Sequence, residues 1–310
     1  MSKRYRLGID VGGTFTDFVL ADTVGGEIAF HKEQSVPADP SRAVEAGVAA
    51  LISREGIVPE AVELVVHGTT LALNAIIQQK GARVALVVSS GNRDVMEIAR
   101  ARMPNSYDFT SGREAPLIPR ESVFEVSARG LSDGTVMTPS NASEIAAVAV
   151  EIQQGGHEAV AVMLLNSYRN GALEAEVAAL LSAALPGLPV TASASIWPEM
   201  REYERALVTC MNSYVHPLMS SYFERLRTRL AGLGISAPVY ITANNGGTVS
   251  LETALARPVD TILSGPASGV LAATRVALGQ PSLITFDMGG TSTDISITRG
   301  GRLEFTNSTL

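Results

Sequence analysis

The residues of this sequence best suited to chemistry lie in two copies of one short motif. The first copy runs from Asp10 to Asp17 and the second from Asp287 to Asp294, and each reads Asp-x-Gly-Gly-Thr-x-Thr-Asp. Each copy follows an apolar strand-like segment and precedes another one, which predicts a hairpin with a Gly-Gly tip. A repeat so widely separated indicates two halves of related topology that face each other.

The chemistry of this motif is the binding of phosphate and of a hard cation. Glycine tolerates a positive φ and lets backbone N–H groups approach an anion, and successive N–H groups in a turn form a nest for phosphate. A carboxylate at a strand end binds Mg²⁺ directly or through water, and Asp10 and Asp287 are the predicted metal ligands. The residues predicted to surround the phosphates are Gly12, Gly13, Thr14, Thr16, Gly289, Gly290, Thr291 and Thr293.

A single copy of such a motif is more often only a tight hairpin turn than a phosphate site. Two copies in the same context favour a clamp that grips the β- and γ-phosphates from both sides and sets carboxylates beside the transferring phosphoryl group. Asp17 and Asp294 end the two motifs. Either is a candidate for orienting a nucleophile, and the sequence does not rank them.

Other polar residues at predicted strand or helix ends leave two interpretations open. His67 follows a short apolar strand, where α/β folds place ligand-contacting side chains. It is a candidate for contacting the phosphate or the substrate amide, or else a hydrogen-bonded loop histidine. The same choice between ligand contact and local structure holds for three further segments: Arg201–Arg205, Asn244–Gly247 and Ser264–Pro266. Cys210 fits the apolar face of its helix and is predicted to lie in the core.

Composition excludes several classes of protein. Of the 310 residues 46% are hydrophobic and 18% charged, which is typical of a globular chain, and the net charge is −7. The basic residues are scattered, which argues against a nucleic-acid partner. A single cysteine rules out an internal disulfide and fits a reducing compartment. No signal peptide and no apolar run of about 18 residues is evident, so we expect a cytoplasmic protein without a membrane partner.

Strand-like and helix-like segments alternate along most of the chain and predict an α/β fold whose largely parallel sheet is made mixed by the opening hairpin. Two domains are predicted, 1–190 with the first motif and 191–310 with the second. From Glu199 apolar positions recur at helical spacing for about 30 residues, and Pro217 is expected to kink or split that helix.

Several segments together resemble the hydantoinase A/5-oxoprolinase family, within the superfamily of acetate and sugar kinases, Hsp70 and actin. The two motifs are similar to the phosphate-1 and phosphate-2 hairpins of that superfamily. The resemblance covers essentially the whole chain, although Asn92 stands where the family commonly has an aromatic residue. The segments that narrow it are Val66–Thr70 with Asn74, Asn92–Ile98, Leu165–Asn170, Arg201–Arg205 with Asn212 and Pro217, Asn244–Gly247, and Ser264–Ala267.

The resemblance implies an actin-like ATPase (ribonuclease H-like) fold with mixed sheets flanked by helices. It also implies ATP and Mg²⁺ as cofactors, phosphorylation of a cyclic amide such as a hydantoin or 5-oxoproline, and ring opening with a hydantoinase B-type subunit. An acetone or acetophenone carboxylase-like subunit is an alternative within the family. A nucleotide-gated conformational module is an alternative of another class, and a small-molecule kinase is a third. Self-association into a homo-oligomer through the long helix stays open.

Length is the main departure from that family. Its members are about twice as long, and their adenosine-binding glycine motif lies downstream of the second hairpin. We therefore expect a fragment with an incomplete second domain that lacks this adenosine motif.

Overall fold

The structure is a computed structural model that describes residues 4–101, 107, 115–277, 280, 282–288 and 293–299. Strands and helices alternate along the chain, as predicted. The strands are β1 (Tyr5–Val11), β2 (Phe15–Asp22), β3 (Ile28–Gln34), β4 (Val62–Thr69), β5 (Val84–Ser89), β6 (Val123–Val126), β7 (Arg129–Gly130), β8 (Val136–Thr138), β9 (Ala159–Met163), β10 (Val190–Ala192), β11 (Val239–Thr242), β12 (Thr248–Ser250), β13 (Ser282–Met288) and β14 (Thr293–Arg299). The helices are α1 (Pro40–Glu55), α2 (Leu71–Ile77), α3 (Val95–Ile98), α4 (Ala142–Gln154), α5 (Ala172–Ala184), α6 (Ser193–Ile196), α7 (Glu202–Gly232), α8 (Leu251–Ala256) and α9 (Ser264–Val276).

The larger sheet is mixed and has the order β12-β11-β4-β1-β2-β3. Strands β1, β2 and β3 form an antiparallel meander, whereas β4 runs parallel to β1 and β11 runs parallel to β4. Helix α1 packs on the meander. In β1, Leu7, Ile9 and Val11 are buried and alternate with more exposed residues, so one face of the strand belongs to the core. Asp10 therefore lies at the end of a strand that is fixed by its apolar neighbours.

The smaller sheet is parallel throughout, with the order β10-β9-β5-β6. Strands β5 and β9 are buried at every position, which is typical of a parallel sheet covered on both faces. Helices α4 and α5 pack against it through apolar residues such as Ile145, Ile152, Val177 and Leu181. Two further two-stranded pairs, β7-β8 and β13-β14, complete the sheets of the described residues.

Two compact units divide the chain differently from the predicted domains. One unit comprises Met1–Lys80 with Leu218–Leu310, and the other comprises Gly81–Pro217. The first unit is discontinuous because β11 pairs with β4 across a long chain separation. Both motif hairpins therefore belong to one unit, whereas the sequence placed them in separate domains. The predicted domain boundary at residue 190 stays a prediction.

Three local expectations differ from the structure. Helix α3 is a single turn instead of the predicted Arg93–Arg102, because Ala99 and Ala101 have φ of 49° and 54° and leave the helical region. Helix α7 continues through Pro217 as one helix, so the chain does not split there, and the expected kink stays a prediction. Strand β3 was not predicted. Its sequence does not alternate clearly between apolar and polar residues, because it is an edge strand in which no residue is fully buried.

No described helix combines the length and the apolar character that crossing a bilayer requires. The long α7 is ruled out by the polar residues along it, and no other described helix exceeds the 16 residues of α1.

The packing of α1 on β2 leaves no room for a side chain at Gly47. A Cβ atom there would lie 2.3 Å from the buried ring of Phe18. We expect Gly47→Ala to lower the free energy of unfolding by about 1–3 kcal/mol, as overpacking does, even though Ala is the better helix former. In α9 a Cβ at Gly269 would meet nothing within 4 Å, so Gly269→Ala is the matched control and should stabilise by about 0.5–1 kcal/mol. Urea denaturation measures both, and a Gly47→Ala protein as stable as the parent would contradict the packing.

Candidate phosphate-binding site

The first motif forms the tip of the hairpin between β1 and β2, as predicted. The strand register pairs Asp10 with Asp17 and Val11 with Thr16, so residues 12–15 make the turn. The Gly12 N–H donates to the Phe15 carbonyl at 3.0 Å and closes it. The turn is therefore a short, internally bonded loop at the carboxyl end of β1, where an α/β sheet commonly presents its ligand site.

Ser35, which sequence reasoning missed, anchors this loop from the end of β3. Its hydroxyl donates to the Gly12 carbonyl at 2.9 Å, and its N–H donates to the Thr14 carbonyl at 2.9 Å. Because that hydroxyl hydrogen is used, the Thr16 hydroxyl must be the donor in its 3.1 Å contact with the Ser35 oxygen. Thr16 is fully buried and Thr14 is exposed. Thr16 thus supports the loop from its buried side, through Ser35. A contact between Thr16 and phosphate stays a prediction.

At Gly12 the absence of a side chain lets the loop backbone pack closely on itself. Neither Gly12 nor Gly13 has a positive φ, so the conformational reason given from the sequence is wrong for this loop. At Gly12 a Cβ atom would lie only 3.0 Å from the Phe15 carbonyl oxygen. A side chain at that position would therefore open the turn that Gly12 closes.

The Asp10 carboxylate fits beside a residue without a side chain in the neighbouring strand. The parallel register of β1 and β4 puts Asp10 beside Gly68. A Cβ atom at position 68 would lie 3.0 Å from the Asp10 Oδ1 atom and 3.3 Å from the Thr242 hydroxyl oxygen. Gly68 therefore creates the space into which the Asp10 carboxylate fits. Its proximity to the motif is not visible in the sequence, because strand pairing brings the two residues together.

The electrostatic surroundings of Asp10 disfavour its charge. Although its side chain keeps solvent contact, desolvation by the surrounding protein raises the pKa of the Asp10 carboxyl above its ordinary value. The negative charges of Asp17 and Asp287 raise it further, and Lys32 opposes them. A bound cation would relieve this crowding of carboxylates. The shared influence also shows that the aspartates of the two motifs lie near one another.

Asp17 is the partner of a lysine on the third strand. The β2–β3 register sets Asp17 opposite Lys32, and the ammonium lies 2.8 Å from the Asp17 carboxylate. The same ammonium lies 5.1 Å from the centre of the Phe15 ring. Both side chains of the ion pair are about half exposed, so its contribution to stability is small. Its effect is to hold a positive charge beside the loop.

The second motif repeats the register of the first. Asp287 pairs with Asp294 and Met288 pairs with Thr293, as Asp10 and Val11 pair with Asp17 and Thr16. Thr293 is exposed. The predicted contacts of Gly289, Gly290 and Thr291 lie outside the described residues, and Asp294 is placed only by its backbone. The equal register shows that the sequence repeat is also a repeat of hairpin geometry.

His67 is buried in β4 and contacts α7. Its side chain is fully buried, and its Nε2 atom lies 2.9 Å from the Tyr222 hydroxyl of α7. Burial lowers the pKa of His67 to about 4, so the imidazole is neutral at pH 7. This contact matches the hydrogen-bonded interpretation of His67. A direct catalytic role stays a prediction. The sequence places Tyr222 only on the apolar face of its helix. No sequence signal links it to His67, because the two residues are 155 positions apart.

A cavity of about 360 Å³ adjoins the first loop. It is bounded by Val11, Gly12 and Gly13 on one side and by residues of α2 and the start of α1 on others. Its size is that of sites for small organic ligands. All of its lining residues belong to the same compact unit as the two hairpins.

Two of the other candidate segments, Asn244–Gly247 and Arg201–Arg205, have structural contacts. Asn244 bonds the Val259 carbonyl at 2.9 Å and the Leu263 N–H at 2.7 Å. Arg205 is fully buried in the other unit and donates to the Leu164 carbonyl at 2.8 Å. Of the two interpretations of the Arg201–Arg205 segment, this contact matches local structure at Arg205.

A further segment and a further residue complete the comparison with the sequence. Helix α9 begins at Ser264, so the Ser264–Pro266 segment forms its first turn. Cys210 is fully buried, and its placement in the core is confirmed.

No group of three or more His, Cys, Asp or Glu side chains able to hold a metal ion occurs in the described part of the chain. Mg²⁺ needs no such cage, since it commonly binds one or two carboxylates together with water and the phosphates of a substrate. Asp10 and Asp287 are compatible with this pattern because each is the last residue but one of its strand, just before the Gly-Gly of its motif.

The sheet and the paired hairpins define the class of protein. The order β3-β2-β1-β4-β11, with a meander followed by two strands parallel to β1, is that of a ribonuclease H-like sheet. Solved structures share this arrangement. The nucleotide-free acetone carboxylase superposes with a TM-score of 0.87 at 26% identity over 97% of this chain and 45% of that chain. The ATP-dependent caprolactamase of Pseudomonas jessenii gives 0.84 at 36% identity over 96% and 44%. The fold is therefore of the actin-like ATPase type, as predicted.

Family models assign the chain further. The hydantoinase/oxoprolinase N-terminal region matches residues 6–185, and the hydantoinase/oxoprolinase model matches residues 205–310. The chain belongs to the hydantoinase/oxoprolinase family. It is 37% identical to the caprolactamase subunit alpha of Pseudomonas jessenii over 98% of its own length and 45% of that protein. It is 28% identical to 5-oxoprolinase 1 of Arabidopsis thaliana over 94% of its own length and 25% of that protein. The chain thus spans less than half of these relatives.

The buried His67 predicts a pH dependence of stability. Its pKa is about 4 in the folded protein and about 6.5 in an unfolded chain, so the unfolded state binds the extra proton between these values. Stability is full above pH 6.5 and falls as the pH drops toward 4, with a loss of about 2 kcal/mol between pH 7 and pH 5.

Denaturant unfolding at pH 5, 6 and 7 measures this loss, and His67→Gln removes the titrating group. His216, whose pKa burial also lowers, is present in both proteins, so the difference between their curves isolates His67. If the two proteins show the same pH slope, the assignment to His67 is contradicted.

Proposed function

We propose that this chain is the ATP-binding part of an enzyme that opens a cyclic amide after phosphorylating it. The observation that carries the proposal is the pair of hairpins with equal register, in which the negative charge of Asp287 contributes to the raised pKa of Asp10. Family membership supports the amide-hydrolysing activity, since caprolactamase and 5-oxoprolinase are among the relatives.

In this proposal the two turns hold the triphosphate of ATP. The backbone N–H groups of residues 12–14 and 289–291 donate to the β- and γ-phosphates, as in other anion nests. Glycine at positions 12, 13, 289 and 290 allows the phosphates to approach the backbone. The exposed hydroxyls of Thr14 and Thr293 add donors at the rim.

Asp10 and Asp287 are the proposed ligands of a magnesium ion. The fit rests on the place of the two carboxylates, each near the end of a strand and just before the Gly-Gly of its motif, and on the negative charge that Asp287 adds at Asp10. When bound, Mg²⁺ would neutralise charge on the transferring phosphoryl group. Asp17 and Asp294 remain candidates for orienting the attacking group. Asp17 would act while paired with Lys32.

The chemistry proposed for the amide has two stages. The carbonyl oxygen of the ring takes the γ-phosphoryl group, and ADP leaves. Water then adds to the activated carbon, the C–N bond breaks, and inorganic phosphate is released with the opened amino acid. A hydantoinase B-type subunit is the proposed partner in the second stage. The caprolactamase relative is a subunit alpha, which supports an assembly of several subunits.

A second candidate function has specific support. The solved acetone carboxylase superposes with a TM-score of 0.87, and an acetone carboxylase beta subunit of Xanthobacter autotrophicus is 28% identical over 97% of this chain. The two hairpins would then bind the phosphates of ATP in an enzyme that activates its substrate for carboxylation. Substrate stimulation of ATP turnover separates the two candidates. A nucleotide-gated module would hydrolyse ATP without response to either substrate.

The test is ADP release by the complete polypeptide that contains these residues, assembled with its partner subunit. Cyclic amides should stimulate release and acetone should not. We expect Asp10→Asn to lower the stimulated rate by about 100-fold or more, since one phosphate-site electrostatic contact is worth several kcal/mol in a transition state. Asp133→Asn, an exposed carboxylate of the β7–β8 turn, is the control and should keep the rate. Turnover that ignores cyclic amides, or that survives Asp10→Asn, would disprove the proposal.

A further inference from the structure

The smaller sheet contains a topological switch point, where the chain leaves two neighbouring strands in opposite directions. From β5 it passes to β6 on one side, and from β9 it passes to β10 on the other side. In open α/β sheets, ligands bind outside the carboxyl ends of the strands at such a point. The residues that follow β5 and β9, 90–94 and 164–169, are called the switch-point edge below. They overlap two family-like segments to which the proposed function gives no role.

The part of the switch-point edge that follows β9 is held rigidly. The Leu164 N–H donates to the Glu174 carboxylate at 2.8 Å, and the Leu164 carbonyl accepts from the Arg205 guanidinium at 2.8 Å. Both of these charged side chains are fully buried. Asn166 has a φ of 62°, in the left-handed region, and its side-chain amide donates to the Gly130 carbonyl at 3.0 Å. A segment fixed in this way presents its side chains to a ligand in one arrangement.

The part that follows β5 carries an arginine without a partner. The Nε atom of Arg93 is closed to solvent and makes no hydrogen bond, and the side chain as a whole is half-buried. Arg93 also forms no ion pair within the part of the chain that the structure describes. Buried donors are nearly always paired, because an unsatisfied one costs free energy. The guanidinium therefore lacks an acceptor that a ligand would supply.

Nearby carboxylates do not fill this role, because they are engaged elsewhere. Asp94 pairs with Arg120 at 2.5 Å, and a Glu125 carboxylate oxygen accepts from the Gly91 N–H at 2.6 Å. Arg93 thus stays available although acidic residues lie close to it in the sequence and on the adjacent strand. A guanidinium presents a planar fork of N–H donors that matches the paired oxygens of a carboxylate or a phosphate group.

A second donor lies on the other side of the switch point. Tyr168 follows β9 and is half-buried, and its ring centre lies 5.7 Å from the guanidinium carbon of Arg205. Its hydroxyl makes no hydrogen bond with the described residues. A phenol can donate to an anionic oxygen, so each of the two strands that flank the switch point is followed by an unused donor.

We propose that the switch-point edge binds a small oxyanion, a carboxylate or a phosphate group, through the Arg93 guanidinium, with the Tyr168 hydroxyl as a second donor. The site uses no residue of the two motif hairpins. It lies in the unit formed by Gly81–Pro217, whereas the hairpins belong to the other unit. The inference does not depend on the proposed function.

The test is protection of Arg93 from phenylglyoxal, which modifies arginine side chains, in the complete polypeptide that contains these residues. Mass spectrometry of the digested protein gives the rate at each arginine, with inorganic phosphate or acetate as the probe and chloride holding the ionic strength constant. At a probe concentration about ten times the dissociation constant, the rate at Arg93 should fall about tenfold. Arg83, which is exposed just before β5 at the opposite end of the strand, is the internal control and should react unchanged.

The two probes distinguish the possible ligands. Stronger protection by phosphate assigns the site to a phosphate group, and stronger protection by acetate assigns it to a carboxylate. Phosphate bound at the hairpins does not enter the result, because the rate is read at Arg93 itself. Tyr168→Phe should raise the concentration that gives half protection by about tenfold, since it removes a hydrogen bond to a charged group. An Arg93 rate that neither anion changes would overturn the proposal.

A stability measurement separates ligand binding from a structural role of Arg93. Arg93→Lys keeps the charge and most of the stem but lacks the Nε donor. In buffer without either anion it should be at least as stable to urea as the parent, because that donor has no partner to lose. Added phosphate should raise its urea midpoint less than that of the parent, while Arg83→Lys, the matched control, keeps the full gain. Destabilisation of Arg93→Lys without anion, together with an undiminished phosphate gain, would show that Arg93 is structural and contradict the inference.

Discussion

The Asp10 carboxylate stands at the end of a buried strand with two other carboxylates close enough to raise its pKa. That position depends on its neighbours: Gly68 supplies the space, and Lys32 supplies the one opposing charge among the causes of its shift. The rest of the first unit holds this arrangement fixed. The meander sets Lys32 opposite Asp17, and the parallel pairing of β1 with β4 brings Gly68 alongside. A site that concentrates negative charge in this way is suited to an ion that bridges carboxylates and phosphate.

A second set of ion pairs fixes the wall of the neighbouring cavity. Arg229 of α7 contacts Asp39 at 2.9 Å, the Ser41 hydroxyl at 2.8 Å and the Glu45 carboxylate, and Arg225 contacts Asp39 at 3.2 Å. These residues surround the start of α1, where Asp39 makes no side-chain cap of its own helix. The pKa of Asp39 is lowered by its hydrogen bonds to Ser41 and Arg229 and by the guanidinium charges, which outweigh its desolvation. The segment that carries Pro37 and Pro40 is thus tied to α7.

Much of the fold could be predicted because its signals are local. The hairpin motif, the buried strands β5 and β9 and the amphipathic helices are encoded by neighbouring residues, and the structure has them where the patterns indicate. The edge strand β3 was not predicted, because an exposed strand needs no alternation of apolar and polar residues. The early end of α3 depends on the backbone conformation of Ala99, which composition does not reveal.

The site was predictable only in part, for a related reason. The motif identifies Asp10 and its loop, yet the residues that position them come from elsewhere in the chain. Gly68 and Ser35 reach the loop through strand pairing, and Tyr222 meets His67 from a position 155 residues away. The family resemblance indicated phosphate chemistry, whereas the chain's discontinuous unit could be recognised only from the pairing of β4 with β11.

The central claim is that the two hairpins hold one triphosphate together. A crystal structure of the complete polypeptide with Mg²⁺ and a non-hydrolysable ATP analogue tests it directly. The account predicts β- and γ-phosphate oxygens within hydrogen-bonding distance of the backbone N–H groups of both turns, and a magnesium ion near Asp10 and Asp287. An analogue whose phosphates contact one hairpin alone, or that binds elsewhere, would contradict it.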